Sequence, residues 1–157
     1  MVSRERWDTR GDMILNASPI VDVFFVIERR DGLAATGTLS WPAAGLRANV
    51  RSGPHGKGCL PDGLYRVDSR ALRRKRSSET SFCDRAQPPN AWFQPITPLF
   101  STRRSAFGIH PDGGVEGTRG CVGIVDSNTS AWLMTFEQLR VDLVLEVFDR
   151  PPRGRGR

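Results

Sequence analysis

A histidine and a cysteine stand 121 − 110 = 11 positions apart in the stretch from Phe107 to Ile124, and the whole chain holds only two histidines and three cysteines. A thiol becomes a good nucleophile when a neighbouring base takes its proton and holds it as thiolate, and imidazole is suited to that task near neutral pH. Between the two lie Pro111, Asp112, Gly113, Gly114, Gly117 and Gly120, residues that turn a chain. His110 as base and Cys121 as nucleophile can therefore face each other across a loop, within hydrogen-bonding reach. Gly120, directly before the sulfur, leaves room for another backbone or a substrate to approach. The N–H groups of Gly120 and Cys121 are candidates for an oxyanion hole around an attacked carbonyl. A plainer alternative makes Cys121 a buried core thiol and His110 a surface histidine. The clustering of histidine, four glycines and cysteine between two short apolar runs favours the active site.

Such a pair needs strands to position it, and the flanks supply them: Ala106–Ile109 before the loop and Val122–Val125 after it. Upstream, Val21–Glu28 is rich in β-branched and aromatic residues, Asp31-Gly32 offers a tight turn, and Leu33–Trp41 reads as the returning strand. Pro42–Leu46 is a connection, Leu46–Val50 a short strand, and Leu64–Asp68 another. Ser52–Gly58 is a glycine-rich loop without the spacing of a phosphate cradle; its His55 either lines the cleft or is solvated. Pro88, Pro89, Pro95 and Pro98 make Ser77–Pro98 read as irregular, and the rings of Asn90–Phe93 either wall the cleft or join the core. Ser127–Ser130 supplies N-cap candidates for a helix to about Leu139, with Trp132, Leu133 and Phe136 on one face. Val141–Phe148 has the apolar density of a central strand. These elements predict a mainly β domain, a sandwich or partly closed barrel, with one helix after the catalytic loop. Its organisation reads as an N-terminal extension over 1–18, a single catalytic domain over 19–149 and a flexible basic tail over 150–157.

The chain has 157 residues, enough for one domain with a real core. Its formal charge is +6, and all of its basic residues except Lys57 and Lys75 are arginine. Such a surface associates with polyanions, and charge alone does not choose among nucleic acid, acidic membrane and cell envelope. Arg70–Arg76 carries five basic residues in seven. No recognition helix, zinc site or interleaved aromatic platform accompanies it, which argues against specific nucleic-acid binding. Two histidines on separate loops and three cysteines without ligand spacing predict no metal and no cofactor. Cys59 and Cys83 are the one pair available for a disulfide under oxidising conditions. No apolar run of signal-peptide or membrane-span type occurs, so the expectation is synthesis in the cytoplasm without a membrane span.

Thr118-Arg119-Gly120-Cys121-Val122 resembles the Ser/Thr-x-Gly-Cys-Ile/Val signature of the L,D-transpeptidase (YkuD-like) superfamily, in which an upstream histidine is the base. Gly58-Cys59-Leu60-Pro61-Asp62-Gly63-Leu64-Tyr65 is similar to the Gly-x-Leu/Ile-Pro-x-Gly-x-Tyr segment of the same family. The likeness extends over about Val50 to Phe148, and the short spacing resembles the compact branch with secreted toxins and phage proteins. It implies an L,D-transpeptidase-like domain acting on peptidoglycan stem peptides through a thioacyl intermediate on Cys121. By the same resemblance Cys121, His110 and Gly120 are catalytic, while Arg119, Thr118, Asp112, Trp92 and Tyr65 bind substrate. Asp112 or a backbone carbonyl would orient the imidazole. An antibacterial effector of this kind has an immunity protein as partner and works in the periplasm or cell wall after secretion; a phage protein works after lysis. Two departures stand out: Arg119 replaces a histidine of longer-spaced members, and Gly123 replaces a common arginine. With a ten-residue loop, Pro111–Gly120, and no side chain at position 123, hydrolysis is expected to compete with transpeptidation. The competing class is a non-catalytic basic module for envelope polymer or nucleic acid.

Overall fold

A computed structural model of the protein describes residues 19–114 and 116–153. It also describes the backbone of two short antiparallel strands, Arg6–Trp7 and Met13–Ile14. The remainder of the N-terminal extension, Val115 and the end of the basic tail lie outside the described residues.

Alternation of apolar and polar residues decides most of the strands. Val23, Phe25 and Ile27 are buried along β1 (Val23–Asp31), and Ala35, Leu39 and Trp41 along β2 (Ala34–Trp41). The turn between them falls at Gly32, whose φ of 59° is the left-handed conformation a tight hairpin requires. Then follow β3 (Leu46–Ser52), β4 (Gly63–Val67), β5 (Trp92–Pro98), β6 (Gly108–Pro111), β7 (Val122–Ile124) and β8 (Leu143–Asp149). Their order around the sheet is β4-β8-β1-β2-β3-β7-β6-β5. Pairing of Tyr65 with Pro98 and Val67 with Ile96 joins β5 back to β4 and closes the sheet into a barrel. The protein is thus mainly β, a closed barrel and not a sandwich.

One strand reading needs correction. The proline-rich end of Ser77–Pro98 is a regular strand, β5. Pro95 is tolerated because it sits where β5 changes partners: Trp92 and Phe93 pair with the two-residue strand Arg73–Arg74, and Ile96 onwards pair with β4. The strands flanking the loop from His110 to Cys121 run side by side and parallel, with Val122 opposite Ile109 and Gly123 opposite His110. The loop therefore returns the full length of the strand pair, which is feasible in ten residues because the strands are four and three residues long.

The helix α1 spans Ser130–Glu137 and is too short to be stable alone. It is held by packing: Trp132, Leu133 and Phe136 are buried, and the Phe136 ring lies 5.5 Å from Trp41 and 5.7 Å from Trp92. Each such side chain, fully buried, contributes about 1.5–3 kcal/mol. Thr129 precedes the helix, but its hydroxyl does not cap it. That group donates to Asp84 Oδ2 (2.8 Å) and accepts from Trp92 Nε1 (2.9 Å). All three cysteines are free, so Cys59 and Cys83 are not paired.

Candidate active site

Parallel pairing of β6 with β7 sets Cys121, one residue before β7, alongside Gly108. His110 is two residues further along β6 and so shares that face of the sheet. Both side chains line one cleft of about 930 Å³. Its walls are contributed by Arg73 and Lys75, by Phe82 from the turn Thr80–Phe82, by Phe93 from β5, and by His55, Thr118 and Arg119.

The imidazole is fixed on three sides. Nδ1 lies 2.7 Å from the Pro111 carbonyl oxygen. A carbonyl only accepts, so Nδ1 carries the proton and Nε2 keeps its lone pair for use as a base. Phe93 stacks against the ring at 5.9 Å and 22°, and Phe82 meets it edge-on at 5.0 Å. Of the two candidate orienting groups, the backbone carbonyl takes the role. Burial holds the imidazole below its ordinary pKa, opposed by the Pro111 carbonyl and the Asp112 charge and assisted by Lys75. Burial pushes the Cys121 thiol up, opposed by the Gly108 N–H and by Arg104. The resting pair is therefore a thiol and a neutral imidazole, not the thiolate that the bare pairing of residue types suggests. The thiol donates to the Ala106 carbonyl oxygen at 3.7 Å, and no hydrogen bond joins it to His110.

The loop before Cys121 is clamped to the loop after β3. Thr118 Oγ1 donates to the Cys121 carbonyl oxygen (2.8 Å) and accepts the N–H groups of Gly53 (3.1 Å) and Gly120 (3.2 Å). The Thr118 N–H donates to the Gly53 carbonyl oxygen at 2.9 Å, and the His55 N–H to the Thr118 carbonyl oxygen at 3.1 Å. His55 Nε2 reaches the Glu116 carbonyl oxygen at 2.7 Å. Arg51 binds the start and the middle of the loop, gripping the Asp112 carboxylate and, at 2.5 Å, Glu116. Asp112 accordingly lies behind the cleft instead of in its lining.

Gly120 has a different purpose from the one its position suggested. Its N–H is committed to Thr118, so it is not an oxyanion donor. Its φ is 117°, and a Cβ there would collide with the guanidinium of Arg104. Arg104 donates to the carbonyl oxygens of Cys59 (2.9 Å) and Gly58 (3.0 Å) and lies 5.2 Å above the Phe107 ring. It is the charge that steadies the cysteine, and sequence reasoning missed it because it stands in an irregular segment without a motif. Gly123 has a packing reason too: a Cβ would come within 2.8 Å of Asp112 Cβ and 3.0 Å of Thr118 Cγ2. An arginine has no room at that position.

Trp92 and Tyr65 are not cleft residues. Both are fully buried; Trp92 donates to Thr129, and the Tyr65 hydroxyl donates to the Pro61 carbonyl oxygen at 2.6 Å. The alternation of β5 turns Trp92 inward and presents Phe93, its neighbour, to the cleft. Among the described residues no group of histidine, cysteine, aspartate and glutamate is placed to hold a metal ion, and no helix is long and apolar enough to cross a membrane. Compared with protein families, with curated proteins and with solved structures, the chain matches none.

Proposed function

We propose that the protein is a cysteine-dependent acyl-transfer enzyme of the L,D-transpeptidase type, acting on peptidoglycan stem peptides. One observation carries the reading: Cys121 shares a cleft with a neutral His110 whose Nδ1 is tied to a carbonyl, leaving Nε2 as the base. In this mechanism the thiol leaves the Ala106 carbonyl and gives its proton to Nε2. Sγ then attacks a peptide carbonyl, the C–N bond breaks, and His110 returns the proton to the departing amine. The resulting thioester is resolved by water, giving a carboxypeptidase or endopeptidase, or by an amine, giving a transpeptidase. The Cys121 N–H, which no loop or side-chain hydrogen bond takes among the described residues, is the remaining oxyanion donor. The two motifs around Gly58–Tyr65 and Thr118–Val122 support the same family, and the barrel as its catalytic domain belongs to this proposal.

Incubation with disaccharide-tetrapeptide, with and without an added amine, followed by mass spectrometry, tests the reading. The expected products are tripeptide and free D-Ala, with exchange product when amine is present. Cys121→Ala should abolish both while leaving the urea midpoint unchanged, and Cys83→Ala should retain them. Product formation that survives Cys121→Ala would sink the assignment.

A further inference from the structure

Apart from Cys121, every ionisable side chain in the cleft lining is basic: Arg73, Lys75 and Arg119, with His55 and His110. No carboxylate is among them. Elsewhere among the described residues several cations are ion-paired, although others, Arg47, Arg70, Arg103 and Arg140 among them, are not. Arg74, between Arg73 and Lys75 in sequence, turns away and donates to Glu137 at 2.6 Å; Arg30 holds Asp62 and Asp149, and Arg150 holds Glu28. In contrast, Arg73 and Arg119 form no ion pair among the described residues, and Lys75 reaches Glu79 only at 3.8 Å. Two of the cleft cations, Arg73 and Lys75, are seated on aromatic faces. The Arg73 guanidinium lies 5.8 Å from the Phe93 centroid, and the Lys75 ammonium 4.8 Å from Phe82 and 6.0 Å from Phe93. These are the rings that pack on His110.

Cations on an apolar wall whose lining holds no carboxylate focus their field into the cavity they line. The ring contacts fix their positions, so a ligand need not order two free side chains in order to bind. Resting on the acyl-transfer reading, we propose that the cleft selects an acyl donor bearing a free carboxylate next to the residue that acylates Cys121. Arg73 and Lys75 bind that carboxylate, and Arg119 adds its charge from the catalytic loop. The basic run Arg70–Arg76 is thereby divided: Arg73 and Lys75 read substrate, while Arg74 holds the barrel to α1.

Two measurements separate this inference from the reading beneath it. The first needs no turnover. Alkylation of Cys121 by iodoacetate and by iodoacetamide is followed by peptide mass spectrometry, and the rate ratio is compared with that of glutathione. The protein's ratio should favour the anion about fivefold or more at low salt and fall toward the free-thiol value at high salt. Arg73→Gln with Lys75→Gln should remove the preference. A ratio equal to that of glutathione at low salt overturns the anion site. The second measurement compares two stem peptides that differ only in a free or amidated carboxylate next to the acylating residue. Amidation should lower kcat/KM about tenfold in the parent protein, the value of a charge-assisted hydrogen bond, and have little effect in the double variant. Equal turnover of both peptides overturns the inference and leaves acyl transfer intact. Turnover of neither overturns acyl transfer, and an elevated alkylation ratio then retains the cleft as an anion site only. Tight binding of a nucleic acid that suppresses iodoacetate labelling would assign the same cations to a polyanion and overturn the peptide proposal.

Discussion

Two buried carboxylates, Asp84 and Asp112, each tie a long loop to the barrel, and they do it differently. Asp84 accepts five hydrogen bonds from neutral donors: the N–H groups of Ala86, Asn90 and Thr129, the Asn90 amide and the Thr129 hydroxyl, at 2.8–3.0 Å. Despite burial these bonds hold its pKa below the usual carboxylate range. Asp112 relies on one cation, Arg51, with a long contact from the Gly117 N–H (3.4 Å), and its Oδ1 is buried without a partner among the described residues. The first arrangement is a scaffold joint, locked by donors from its own loop, Ala86 and Asn90, and from Thr129 at the start of α1. The second is a charge clamp whose cation also grips Glu116, adding an electrostatic tie to the hydrogen bonds that Thr118 and His55 make between the two loops.

The largest test of this difference is Asp84→Ala. It strands several buried donors at once and should cost about 4 kcal/mol of stability by urea unfolding, while activity per folded molecule stays near normal. A smaller stability loss accompanied by lost turnover would reverse the two roles. Arg51→Met should cost about 3 kcal/mol, because Asp112 is left buried and uncompensated, and should also lower turnover as the loop loosens. Limited proteolysis within residues 112–120 offers a direct readout.

The pH dependence sharpens the contrast. His110 must be neutral to act, and its pKa is depressed, so kcat/KM should rise through an acid limb lying below the ordinary histidine value of about 6.5. The Asp112 charge raises that pKa, so Asp112→Asn should move the limb to lower pH by a few tenths of a unit. Asp84→Asn should leave it in place. Asp84 governs stability instead: its folded-state pKa lies below the unfolded value, so its contribution is complete above about pH 4 and is lost as pH falls through the depressed value. In Asp84→Asn the acid unfolding limb should flatten, as followed by circular dichroism.

Much of this was legible in the sequence wherever local chemistry decides the outcome. The hairpin β1–β2 followed from alternation and an Asp-Gly turn, and the thiol–imidazole pair from residue type and loop length. The remainder depended on partners distant in the chain. Pro95 reads as a strand breaker until the change of partners along β5 is known. The inward Trp92 and outward Phe93 are indistinguishable until the strand's facing is fixed. Gly120 looks like space for substrate, and only the tertiary structure shows Arg104 filling it. The absence of a resting thiolate was likewise invisible, because desolvation is a property of the assembled cleft.

The position of β8 carries a consequence for how the molecule comes together. This strand, last in the chain, lies between β1, with which it runs parallel, and β4, with which it runs antiparallel. Until Leu143–Asp149 is in place the sheet is open, with β1 and β4 as raw edges whose unpaired backbone groups can recruit strands from other chains. The contacts that close it are all distant in sequence, Leu145 against Val23 on one side and Leu143 against Val67 on the other, which makes closure a late and slow event. A nascent or truncated chain thus carries the whole His110–Cys121 segment before it possesses a sealed barrel. Emergence of β8 is the step that converts an aggregation-prone ribbon into a folded barrel.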